Sequence, residues 1–192
     1  IMKIICHRGI WNKPEEQNTL ESCGKAFNKG FGIEIDVRDC NSKIIISHDP
    51  PQYNNTYLSD LFDLYKSTCS DKQLFAINIK SDGISNEIKE LVEKYEITEY
   101  FTFDMSIPET IQYKKRGIKY FSRMSEYEIN PVLLDGANGV WYDFFYNDFI
   151  SYEKLDQFIE VDKKVCIVSV ELHGRNKQSQ WHQLIKYPKV DN

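Results

Sequence analysis

The chain alternates short apolar runs with stretches of helical period. Eight runs read as strands: residues 3–7 (KIICH), 32–37 (GIEIDV), 43–47 (KIIIS), 74–80 (LFAINIK), 100–104 (YFTFD), 118–123 (IKYFSR), 139–143 (GVWYD) and 164–172 (KVCIVSVEL). The segments between them carry helix signals. Residues 84–95 (ISNEIKELVEKY) put Ile84, Ile88, Leu91, Val92 and Tyr95 on one helical face. Asn18 with Glu21, Ser106 with Glu109 and Ser125 with Glu128 have the spacing of capping boxes. Gly30 and Gly117 stand where helices end in a left-handed residue. No repeat, linker or low-complexity tract divides the chain, which reads as a single domain over residues 1–192.

Alternating strands and helices imply right-handed βαβ units and a parallel sheet. Side-chain parity then selects among parallel folds, because successive residues of a strand face opposite ways. Ile33, Ile35 and Val37 share one face of their run, and Glu34 and Asp36 share the other. Phe75, Ile77 and Ile79 oppose Ala76, Asn78 and Lys80 in the same way. His7, Asp104, Asp143, Ser169 and Glu171 likewise stand at run ends, with Thr102 expected on the face of Asp104. A sheet covered by helices on both sides reads as apolar on both faces. One apolar face with polar groups at the C-terminal ends is what a (β/α)₈ TIM-type barrel requires at its mouth. Such barrels typically use ~250 residues. The last helical stretch, 178–187, is followed by five residues, so the eighth strand is expected to be incomplete.

Composition narrows the chemistry. Lysine and arginine number 24 against 29 aspartates and glutamates, a net charge of −5 with no basic stripe. That balance argues against nucleic acid or an anionic membrane as partner and leaves room for one small anion in a pocket. No stretch approaches the ~18–20 apolar residues of a membrane span. Residues 2–7 turn polar too early for a signal peptide. Cys6, Cys23, Cys40, Cys69 and Cys166 are odd in number and form no C-x-x-C, which points to reduced thiols in the cytoplasm.

The strand ends assemble a recognisable chemistry. Glu34 and Asp36, two residues apart on one face, would stand roughly 6–7 Å apart and suit a hard cation such as Mg²⁺ or Ca²⁺. The alternative for Asp36 is an internal ion pair with Lys80. His7 and His48 close different runs beside a cation or a carboxylate, where imidazole can exchange protons near neutrality. Asp49 is placed to orient His48. Arg8 and Lys80 supply positive charge for a phosphoryl group. His173 and His182 read as structural. The loops YNNTY (53–57), MSIPET (105–110) and FFYND (144–148) offer no decisive pattern for a substrate alcohol.

H-R-G at 7–9, Q-N-T at 17–19, E-I-D at 34–36 and H-D at 48–49 stand in one order. In that order they resemble the glycerophosphodiester phosphodiesterase family, whose pattern reads HRG, ENT, E-x-D and HD. The resemblance is dense over residues 4–50 and continues loosely through N-I-K at 78–80. It implies a (β/α) barrel related to the phospholipase C-like phosphodiesterases and a divalent-metal phosphodiesterase activity. His7 and His48 would be general acid and base, Arg8 and Lys80 would hold phosphate, and Glu34 and Asp36 would bind the metal. The implied substrate is a small glycerophosphodiester, whose glycerol hydroxyl can attack phosphorus. Mn²⁺ is a third candidate metal. Two departures stand out. Asn78 replaces the third metal-binding glutamate, so that Asp104 or Glu171 is a candidate for the missing carboxylate. Gln17, beside Glu16, replaces the glutamate of ENT. Two other functions fit the same residues: a phosphate-binding pseudoenzyme, and a metal-independent, phospholipase C-like transphosphorylation.

Overall fold

Ile33, Ile35 and Val37 are fully buried, and so is the next apolar set, Phe75 and Ile77. In the computed structural model, which describes residues 2–51, 55–69 and 72–189, these residues form the spine of the larger of two compact units, Lys3–Lys119. Its strands are β1 (Ile5–His7), β2 (Gly32–Cys40), β3 (Lys43–Ile46), β4 (Thr56–Tyr57), β5 (Phe75–Ile79) and β6 (Tyr100–Phe103). Its helices are α1 (Leu20–Asn28), α2 (Leu58–Thr68), α3 (Ser85–Lys94) and α4 (Ile107–Arg116). The apolar face of β2 and β5 packs on Cys23, Ala26 and Phe27 of α1, Leu61 and Phe62 of α2, and Ile88 and Val92 of α3.

The parallel register confirms the parity argument for these strands. Ile33, Ile35 and Val37 pair with Phe75, Ile77 and Ile79, while Asp36 pairs with Asn78. β1 lies parallel to the first half of β2, with His7 opposite Glu34, and β6 continues the sheet beyond β5.

β3 departs from the expected all-parallel order. It returns antiparallel along the second half of β2, Val37 opposite Ile46 and Cys40 opposite Lys43. The turn between them is Asn41–Ser42, both at positive φ (49° and 62°). That is the backbone of a two-residue hairpin whose twist matches the strands it joins. β6 departs in parity. Phe101 and Phe103, not Thr102, share the face of Ala76 and Asn78. Thr102 points the other way and donates to the Lys119 carbonyl at 3.0 Å.

The second unit, Tyr120–Asn192 with Ile1–Met2, holds β7 (Phe121–Met124), β8 (Gly139–Tyr142) and β9 (Lys164–Ile167), parallel in that order, with α5 (Tyr152–Glu160) and α6 (Gln178–Lys186). Its core gathers Val140, Tyr142, Phe144, Ile150, Leu155, Phe158 and Val170. The described strands thus form two sheets, a mixed α/β architecture. β9 is shorter than the run 164–172, whose second half turns into a 3₁₀ segment, Val170–His173.

Helix ends follow the sequence with two corrections. Ser106 caps α4, and Gly117 ends it at φ 70°. Gly30, at φ 74°, follows α1. The box at α1 is one residue later than the spacing indicated. Thr19 accepts from Ser22 N, and Ser22 Oγ answers Thr19 N. Ser125 and Glu128 start no helix. They exchange backbone bonds in a tight turn, each N–H donating to the other's carbonyl at 3.2 Å. No described helix is long and apolar enough to cross a membrane.

Candidate active site

Five sequence-separated segments of the Lys3–Lys119 unit come to the polar face of β2. The first is the turn after β1. Arg8 and Gly9 both have positive φ, 57° and 86°. A Cβ on Gly9 would lie 2.5 Å from Ser22 Oγ and 2.8 Å from Cys23 N, so α1 leaves room only for glycine. This turn folds the Arg8 side chain back over β2. Its Nε stands 2.7 Å from Asp36 Oδ2, and its Nη1 donates to Gln17 Oε1 at 2.9 Å. Its backbone N–H meets Glu34 Oε2 at 3.3 Å.

Asp36 is fully buried and is the centre of the group. Besides Arg8 it receives the Asn18 side-chain amide at 2.9 Å, while its own N–H donates to Asn18 Oδ1 at 3.3 Å. Lys80 Nζ approaches Oδ1 at 3.3 Å, and the same ammonium stands 3.9 Å from Asp104 Oδ2. The internal Lys80–Asp36 ion pair is therefore present. Asp104 reaches Lys80 because its φ of 70° swings it out of line with β6. Positive φ at Arg8, Asn18 and Asp104 concentrates backbone strain around one group of charges, as functional sites do.

His7 Nε2 lies 3.8 Å from Glu34 Oε2, beyond hydrogen-bond length, and its carbonyl accepts from Trp11 Nε1 at 3.0 Å. Burial, followed by the charges of Arg8 and Lys80 and of His48 against the opposing pull of Asp36, lowers the His7 pKa to about 4. Glu34, 2% exposed, is pushed well above the usual carboxylate range. Burial is the main cause and the Asp36 charge the second, against Arg8 and Lys80. The antiparallel β3 brings His48 to this level, since Ser47 N–H donates to the Asp36 carbonyl at 3.0 Å. His48 Nδ1 stands 2.9 Å from Asp49 Oδ1, and that bond holds the Asp49 carboxyl below its ordinary pKa.

Whether these side chains suit a metal can be asked of their unpaired oxygens. Asn78 Oδ1 is buried with no hydrogen-bond partner, and the register places it beside Asp36, whose Oδ1 has the Lys80 ammonium at 3.3 Å as its ion-pair partner. An unsatisfied buried acceptor costs about 1–3 kcal/mol, and hard cations take such oxygens. These oxygens, with those of Glu34, are of the kind a hard cation takes. Among the described residues, no three His, Cys, Asp or Glu side chains group as a metal site.

With this geometry, the protein can be set beside known structures. No protein-family model matches the chain, and no curated protein does. Solved structures do. A putative glycerophosphoryl diester phosphodiesterase from Silicibacter pomeroyi matches with a TM-score of 0.74 at 12% identity, over 99% of this chain and 88% of that one. A glycerophosphodiester phosphodiesterase from Parabacteroides distasonis gives 0.67 at 16% identity, over 98% and 90%. A phosphodiesterase from Oleispira antarctica, solved with the product sn-glycerol-3-phosphate, gives 0.69 at 14% identity, over 97% and 90%. This chain has the glycerophosphodiester phosphodiesterase fold.

Within that fold, His7, Arg8, Glu34, Asp36, His48, Asn78, Lys80 and Asp104 all belong to one unit. Glu171 belongs to the other, in the 3₁₀ segment rather than on a strand, and pairs with Lys177. Asp143 is also there, its Oδ1 2.7 Å from His173 Nε2, and Arg123 pairs with Glu128 at 3.0 Å. In the FFYND loop, the N–H groups of Phe145, Tyr146 and Asn147 converge on the Glu126 carboxylate. Part of YNNTY lies outside the described residues. The sequence reading missed the grip of Asn18 on Asp36. Its signal was present in Q-N-T, an asparagine immediately before a threonine cap.

Proposed function

We propose that this protein cleaves a small glycerophosphodiester. The observation that carries the proposal is the grouping of His7, Arg8, Glu34, Asp36 and Lys80 on one buried face, at 2.7–3.8 Å between partners. The fold supports the same reading. Arg8 and Lys80 hold the phosphoryl oxygens. His7 and His48 are the two imidazoles of this reading: one would take the proton of the attacking hydroxyl and the other would give one to the leaving alcohol. His7, kept neutral by its surroundings, is prepared to act as the base. Glu34, Asp36 and Asn78 would hold Mg²⁺, Ca²⁺ or Mn²⁺, with Asp104 of the same unit as the auxiliary carboxylate. Neutralisation of charge on the phosphoryl oxygens is what such a cation supplies when bound. A closed barrel formed as one domain, working in the cytoplasm, completes the proposal.

The test is hydrolysis of a panel of glycerophosphodiesters with each cation. Turnover that disappears in His7→Ala and His48→Ala supports the proposal, and wild-type rates equal to theirs with every metal reject it. A second reading, metal-independent transphosphorylation, is favoured by one observation: Arg8 and Lys80 already neutralise Asp36. Activity that survives EDTA selects it. Binding without turnover selects the pseudoenzyme.

A further inference from the structure

Glu34, Asp36 and Arg38 form a column on one face of β2, at i, i+2 and i+4. The functions above use the first two. The guanidinium of the third donates from Nη1 to the His48 carbonyl and from Nη2 to the Lys80 carbonyl, each at 3.3 Å. These carbonyls come from opposite sides of β2, because β3 lies along one edge and β5 along the other. The last backbone bonds tying the two segments to β2 are Ser47 N to the Asp36 carbonyl, at 3.0 Å, and Lys80 N to the Val37 carbonyl, at 2.8 Å. His48 and Lys80 therefore stand where the backbone ladder to β2 ends, with one further bond from Asp39 N–H to Ser81 Oγ at 3.2 Å. Pro50 and Pro51 follow His48 and have no N–H with which to extend the ladder.

We propose that Arg38 is a positioning residue, fixing His48 and Lys80 relative to each other across β2; this rests on the phosphodiesterase reading above. A planar fork with rigidly spaced donors spans two carbonyls at once, which a lysine ammonium on a flexible stem cannot do equally well. Two of the five guanidinium N–H donors are committed to these carbonyls, and through them Arg38 acts on its neighbours. With Nδ1 on Asp49 and the carbonyl on Arg38, His48 is held at both ends, and its Nε2 is presented in one direction. Displacements of about 1 Å at such groups lower rates by up to about 10²-fold.

The experiment compares wild type with Arg38→Met, Arg38→Lys and, as a control in the same unit, Arg116→Met. Two quantities are measured: steady-state kinetics on a glycerophosphodiester, and the backbone carbonyl ¹³C resonances of His48 and Lys80 in substrate-free protein. The expected result is a tenfold to hundredfold fall in kcat for Arg38→Met with KM within about twofold, and movement of both carbonyl resonances. Arg38→Lys is expected to keep at most one of them in place, and the control to move neither. Unmoved carbonyls in Arg38→Met overturn the inference, as does a raised KM with kcat preserved, which makes Arg38 a direct ligand. A wild type without turnover rejects the phosphodiesterase reading, while the carbonyl resonances still decide whether Arg38 holds the two segments.

Discussion

At the residue scale, the site depends on a few side chains held in unusual states. His7 is the clearest. Its charged form is disfavoured, so as pH falls the unfolded chain takes up the proton first. Stability is then lost from about pH 6.5 down to about 4, and not above that window. In metal-free protein the His7 ring is expected to titrate near pH 4 by NMR, and a midpoint near 6.5 would contradict the burial and the neighbouring charges assigned to it. Gly9 is the second. Gly9→Ala places a Cβ against α1 at positive φ and is expected to lower stability by at least about 1–3 kcal/mol, read by denaturant unfolding. An alanine variant as stable as wild type refutes the close approach. Most site residues were legible in the sequence because strand parity fixes their face. Asn18 was not, since its role depends on a left-handed turn that brings it beside a residue 18 positions away.

At the scale of elements, the helices and parallel strands of the larger unit follow the hydrophobic pattern closely. β3 did not, because KIII carries no mark of direction. The direction is set by a two-residue turn, and Asn41–Ser42 lacks the glycine that would have announced it. β6 was misread in parity because its polar threonine faces the helices and bonds a carbonyl there. Ser125 and Glu128 had cap spacing but no apolar helical face after them, and made a turn. The hairpin yields its own prediction. Ser42→Gly is expected to raise stability by about 0.5–1 kcal/mol by relieving a left-handed serine. Thermal unfolding measures it, and a loss would show that the Ser42 side chain contributes more than its backbone costs.

At the scale of the whole molecule, the relevant quantity is the balance of charge around the buried oxygens. Asn78 Oδ1 lacks a hydrogen-bond partner beside the carboxylate of Asp36, so a cation bound there should stabilise the folded state by mass action, about 2.7 kcal/mol at a hundredfold excess over Kd. Calorimetry in millimolar Mg²⁺ or Ca²⁺ against EDTA is expected to show a higher midpoint. Asn78→Asp, which adds a charge to the set, should enlarge that difference. Equal midpoints in both variants argue for the metal-free reading, in which Lys80 and Arg8 suffice. None of this was visible from composition, because a net charge of −5 does not reveal a buried cluster with its own internal cations.

The return of β3 has a consequence for how this stretch tolerates change in length. Residues added at the Asn41–Ser42 tip extend the loop beyond the sheet and leave the pairing of Val37 with Ile46 untouched. A single residue inserted between Lys43 and Ser47 shifts everything after it by one position and presents His48 to the opposite side. Variation in length is therefore expected to accumulate at the tip, while the distance from Lys43 to His48 stays fixed.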